Sequence, residues 1–108
     1  MAADSVTEKI MNTKWPFPDA RNTAVFTTRQ IIEEGKPILL VTHDQDDGAW
    51  QFHTRKTVPA FEAKVVALDE IIFCDPSIVE LADLPLGWSA VRDSKTSPWK
   101  RQPISSSA

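Results

Sequence analysis

Apolar positions fall along the chain in short runs separated by Gly, Pro and Asp. Ala24-Val25-Phe26 is β-prone, and Thr27 followed three residues later by Gln30 has capping-box spacing, so a helix is predicted to start there. It carries Ile31 and Ile32 inward and ends at Gly35, where a left-handed cap is least strained, with Pro37 barring continuation. Ile38-Leu39-Leu40-Val41-Thr42-His43 reads as a strand apolar on both faces. Asp47-Gly48 is a turn signal before Ala49–Thr54, so the two runs predict an antiparallel hairpin.

Further on, Lys64–Leu68 is a strand candidate and Asp69–Phe73 looks like one helical turn behind an acidic cap. Asp75-Pro76 restarts the helix, because Asp is a good N-cap and Pro suits the first helical position. Ile78, Val79, Leu81 and Leu84 then form its apolar stripe, which ends at Pro85. Leu86–Arg92 and Pro98–Arg101 fit a second hairpin around Ser94–Ser97. Helices this short and few exclude a doubly wound parallel sheet. The expectation is an α+β fold, a mainly antiparallel sheet with short helices packed on one side.

Both ends lack the periodicity that would bury them, which divides the chain into a largely flexible arm (1–23), one α+β domain (24–102) and a disordered tail (103–108). Trp15 and Phe17, braced by Pro16 and Pro18, leave open whether the end of the arm docks on the core. At 108 residues the chain can bury about two-thirds of its surface, enough for one self-supporting core. The composition, 42% hydrophobic and 25% charged, is ordinarily globular.

Charge narrows the partners. Twelve Lys and Arg against fifteen Asp and Glu leave a formal charge of −3, the wrong sign for gripping a phosphate backbone over a broad face. The longest aliphatic run, Ile38–Val41, is far shorter than the ~20 residues that span a bilayer. A lone cysteine, Cys74, and an N-terminus carrying acids where a signal peptide needs an apolar stretch imply a cytoplasmic protein.

Candidate chemistry is sparse. His43-Asp44-Gln45-Asp46-Asp47-Gly48 resembles the front of a calcium loop, yet the twelfth position from Asp44 is Arg55, which cannot supply the closing bidentate carboxylate. The acids read instead as a solvated hairpin tip. With an even-length loop, Leu39, Val41 and His43 share a face with Trp50 and Phe52, whereas His53 points the other way with Gln51, so the two histidines cannot chelate one metal. His43 then reads as a partly buried edge histidine and His53 as a surface one. Cys74, beside Asp75 and a turn after Glu70, lacks a cation to lower its pKa and reads as a small buried hydrophobe. Trp50 and Trp88 belong to the core, while the exposure of Trp99, next to Lys100-Arg101, is left undecided. No nucleophile elbow, phosphate loop or zinc-protease motif is present, so no catalytic residue, metal or cofactor is assigned.

Gly48-Ala49-Trp50-Gln51-Phe52, Asp75-Pro76-Ser77-Ile78 and Pro85-Leu86-Gly87-Trp88-Ser89-Ala90 together resemble a bacterial domain of unknown function. Some of its members are regarded as immunity-protein-like because their genes neighbour polymorphic toxins. The similarity spans residues 24–101 and lies in fold signatures, with no catalytic motif. It implies a non-catalytic, immunity-like module that sequesters a partner protein; the acidic balance adds that the partner is basic and, with the short aliphatic run, that neither nucleic acid nor membrane is bound. The candidate binding residues are Asp44, Asp46, Asp47, His43 and Trp99. The alternative is a small enzyme or ligand-binding domain with its site near His43 and Trp50, which a closed pocket with convergent polar groups there would favour.

Overall fold

The computed structural model describes residues 15–104, and the expectations for residues 1–14 and 105–108 lie outside them. The elements are β1 (Ala24–Thr28), α1 (Arg29–Glu34), β2 (Leu40–His43), β3 (Trp50–His53), a 3₁₀ turn (Ala60–Glu62), β4 (Ala63–Ala67), α2 (Leu68–Cys74), a 3₁₀ segment (Pro76–Leu81), β5 (Trp88–Val91) and β6 (Lys100–Pro103). The six strands form one sheet in the order β4-β1-β3-β2-β5-β6. Every pairing is antiparallel except β1 with β3. The architecture is thus a small α+β fold. Among the described residues no helix is long and apolar enough to cross a membrane.

The hairpin forms as its sequence pattern predicts, in the register Val41↔Phe52 and His43↔Trp50. Its loop is even, closed by Asp44 N donating to Ala49 O (2.8 Å) and Gly48 N to Asp44 O (2.9 Å). Gly48 has φ 73°, a left-handed conformation that a residue with a Cβ adopts only under strain. Alternation then puts Val41, Trp50 and Phe52, all fully buried, on one face with Val25 of β1 and Ala90 of β5. Ile31, Leu68, Ile71, Ile78, Leu81 and Leu84 join the same cluster, so the helical segments cover that face alone.

Several local expectations are corrected. Thr28, rather than Thr27, caps α1 and makes no side-chain cap bond. Thr27 is buried in the sheet, its Oγ1 donating to Phe52 O at 3.0 Å, so strand packing claims the hydroxyl that a capping box would use. The C-terminus follows expectation, with Gly35 left-handed and Lys36 N reaching back to Gln30 O (3.1 Å). The segment opened by Asp75-Pro76 is 3₁₀, not α. Three residues per turn aligns Ile78 with Leu81 and rotates Val79 outward, to 38% exposure, instead of burying it.

Cys74 is exposed at the C-terminus of α2 rather than buried. Its thiol pKa is raised by partial burial and by Glu70 and Asp75, which makes it a poor nucleophile despite its exposure. At the start of the described chain Phe17 is buried in the core, edge-on to Trp50 (5.4 Å), while Trp15 packs beside it under the Arg21 guanidinium (4.5 Å). Residues 15–23 therefore carry core side chains. At the other end β6 extends through Pro103, and Ile104 N still bonds Gly87 O (2.7 Å), so pairing reaches into the stretch expected as tail.

Candidate interaction surface

Helices on one face leave the other face of the sheet without a helical layer. One row of paired residues crosses all six strands there: Val65, Phe26, Gln51, Thr42, Ser89 and Gln102. Its β4 and β1 end is apolar and open, with Val65 61% and Phe26 42% exposed. Toward β6 the row turns into uncharged amides and hydroxyls. The neighbouring row pairs His53, Leu40, Val91 and Lys100. The Thr42 hydroxyl, central on this face, is buried without a hydrogen-bond partner.

The acidic hairpin tip lies at one end of the same face. Asp44 turns toward it, its Oδ2 accepting from Gln51 Nε2 at 2.6 Å, and Gln51 Oε1 in turn accepts from His53 Nε2 at 2.9 Å. A carbonyl oxygen can only accept, so this bond places the His53 proton on Nε2. Burial lowers the His53 pKa, partly opposed by the Asp44 carboxylate. Asp47 Oδ1 accepts from Ala49 N (2.9 Å) as a turn-forming aspartate, and Asp46 is exposed. Among the described residues no Lys or Arg forms an ion pair with any of the three acids.

His43 takes no part in this surface. Its strand is central, not at the sheet edge, and the ring is 8% exposed, stacked on Trp50 with centroids 3.9 Å apart. Its Nδ1 donates to Leu84 O at 2.8 Å, which ties the 3₁₀ segment's exit to β2. His43 and Trp50 line neither of two surface hollows. One, of about 320 Å³, is open and bounded by Asp44, Gln45, Asp46, Asp47, Gly87 and Ile104. The other, about 240 Å³, lies between the end of α1 and Cys74. Among the described residues no three His, Cys, Asp or Glu side chains converge as a metal site requires.

Trp99 belongs to a buried clamp that sequence reasoning missed. Arg92 is 3% exposed, and its guanidinium lies 4.1 Å from the Trp99 ring centroid. It donates to Asp75 Oδ2 (2.6 Å), Ser77 Oγ (3.0 Å), Ile38 O (3.0 Å) and Lys95 O (2.9 Å). Asp75 also accepts from Ser77 N (3.1 Å) and Ser77 Oγ (2.7 Å). Burial pushes the Asp75 pKa up, but the bonds from Ser77 and Arg92 outweigh it and hold the carboxyl below its ordinary range. One signal could have revealed the clamp. Alternation from Trp88 and Ala90 points Arg92 inward, and a buried guanidinium needs a buried acid. The candidate residues thus separate: Asp44 bonds to the open face through Gln51, Asp46 and Asp47 stay in the exposed turn beside it, and His43 and Trp99 sit in the framework. No family model matches this chain, and no curated protein or solved structure does either.

Proposed function

We propose that this chain is a non-catalytic cytoplasmic module that binds and sequesters a partner protein presenting a basic segment. The partner would dock on the helix-free face, with the segment over the Asp44, Asp46 and Asp47 tip. The carrying observation is that an open sheet face with Phe26 and Val65 exposed ends in three carboxylates without a cationic partner among the described residues. Apolar surface of this kind gives a docking area, and acids with no cationic partner among the described residues give it a sign. An immunity-like role, the one implied by the sequence resemblance, asks for the same thing: a stable surface that occupies another protein.

The test compares three forms of the chain. Replacing Asp44, Asp46 and Asp47 together by Asn removes charge while keeping acceptors for Gln51 Nε2 and Ala49 N. Phe26→Asp places a charge in the apolar end of the face. Proteins retained from a lysate by the wild type are identified by mass spectrometry, and stopped-flow mixing then measures the association of each with all three forms. The Asn variant should associate more slowly at low salt, and the difference should vanish as the Debye length falls from ~10 Å at 0.1 M to ~3 Å at 1 M. Equal rates at low salt would reduce the tip to turn chemistry, and a partner indifferent to Phe26→Asp would remove the face.

A further inference from the structure

The two edges of the sheet are built differently. At the β6 edge Lys100, Arg101, Gln102 and Pro103 are all exposed. Arg101 is anchored sideways to Asp83 (2.8 Å) and Glu80 O (2.8 Å), and Pro103 has no N–H to offer. Exposed charge and proline are the usual means by which an edge resists further pairing. The β4 edge has neither on its open side. Ala63–Ala67 runs five residues in unbroken register with β1 and contains no proline. Its one charge, Lys64, projects to the helical side and pairs with Glu33 (3.1 Å). Its open side shows Val65, and Phe61, just upstream, is 85% exposed.

The geometry points to a second copy of this chain as the occupant of that edge, β4 pairing antiparallel with β4 about a two-fold axis at Val65. A two-fold requires antiparallel strands and a self-complementary pattern. The open-side residues Ala63, Val65 and Ala67 read Ala-Val-Ala in both directions, so the pairing sets alanine against alanine and valine against valine. Lys64 then faces Val66 of the other copy, and no like charges meet directly across the pair. Phe26 lies beside Val65, so the two exposed apolar ends join into one patch, Phe26-Val65-Val65-Phe26, at the centre of a twelve-stranded sheet. Both edges of that sheet are the guarded β6. This inference is independent of the partner reading.

Sedimentation of the full chain across a concentration series tests it. The mass should rise from the 12.1 kDa of one chain toward twice that value. Raising the salt should leave dimerisation intact, because two copies of charge −3 repel and the contact is apolar. Val65→Lys sets two ammonium groups against each other and should raise the dimer dissociation constant by about tenfold or more, whereas the matched change Gln102→Lys at the other edge should leave it unchanged. A mass of one chain up to about 1 mM overturns the proposal. So does a dimer that responds to Gln102→Lys and ignores Val65→Lys. Should Val65→Lys not fold, hydrogen exchange of the wild type decides: β4 amides that slow with rising concentration support the pairing, and concentration-independent exchange refutes it.

Discussion

Replacing Arg92 with Leu removes the guanidinium that four groups from three parts of the chain share: Asp75 and Ser77 at the start of the 3₁₀ segment, Ile38 O before β2, and Lys95 O in the β5–β6 loop. The Asp75 carboxylate, 5% exposed, keeps its Ser77 bonds and loses its counter-charge, and the Trp99 face loses its cation. Breaking a buried pair by removing one member costs about 3–5 kcal/mol, because the remaining charge stays desolvated. For a domain of this size that is a large share of total stability and corresponds to a fall in Tm on the order of 10–20 °C. Urea denaturation followed by tryptophan fluorescence measures it directly.

The pH dependence separates this explanation from simple loss of packing. In the wild type the folded Asp75 pKa lies below its unfolded value of ~3.9, so its contribution is complete above that value and is lost as pH falls through the folded pKa. Without Arg92, burial dominates and the folded pKa rises. Protonation then relieves the orphaned charge, and the gap between wild type and variant should narrow as pH drops from 7 toward 4. Asp75→Asn in the Arg92→Leu background should recover part of the loss, a coupling of about 1 kcal/mol or more. A variant within about 3 °C of wild-type Tm, with a gap that does not change with pH, would refute the view of Arg92 as a buried clamp.

Leu81→Ala should cost about 2–5 kcal/mol, because Leu81 is fully buried and the 3₁₀ segment that carries it is tied at both ends; an unchanged urea midpoint would show that the segment is peripheral. His53 should titrate below its ordinary pKa by NMR, and Asp44→Asn should lower it further by removing a charge that favours the imidazolium. Since the folded pKa is depressed, the folded chain should lose stability as pH falls below about 6.5, until the folded His53 also protonates.

Local patterns that carry their own cause were readable from the chain. Asp47-Gly48 with its flanking β-prone runs determined the hairpin, while which of His43 and His53 faces the core hung on the parity of the loop, which the pairing of His43 with Trp50 decides. Gly35 and Asp75-Pro76 marked a helix end and a helix start through their own dihedral preferences. What packing decides was not readable. Thr27 and Val79 obey local rules in isolation, yet one is taken by a bond to Phe52 O and the other is turned outward by a change of helical period. Cys74 looked apolar and ended outside, since burial depends on what lies opposite a residue. The tip acids could be located but not their relation to the open face, which requires the strand order: Val65, Phe26, Gln51, Thr42, Ser89 and Gln102 come from six separate segments and meet only when the sheet assembles. Arg92 and Asp75 lie seventeen residues apart and share one buried bond for the same reason. A chain specifies its turns and caps through near neighbours, whereas a surface or a clamp is a property of residues brought together by long-range pairing.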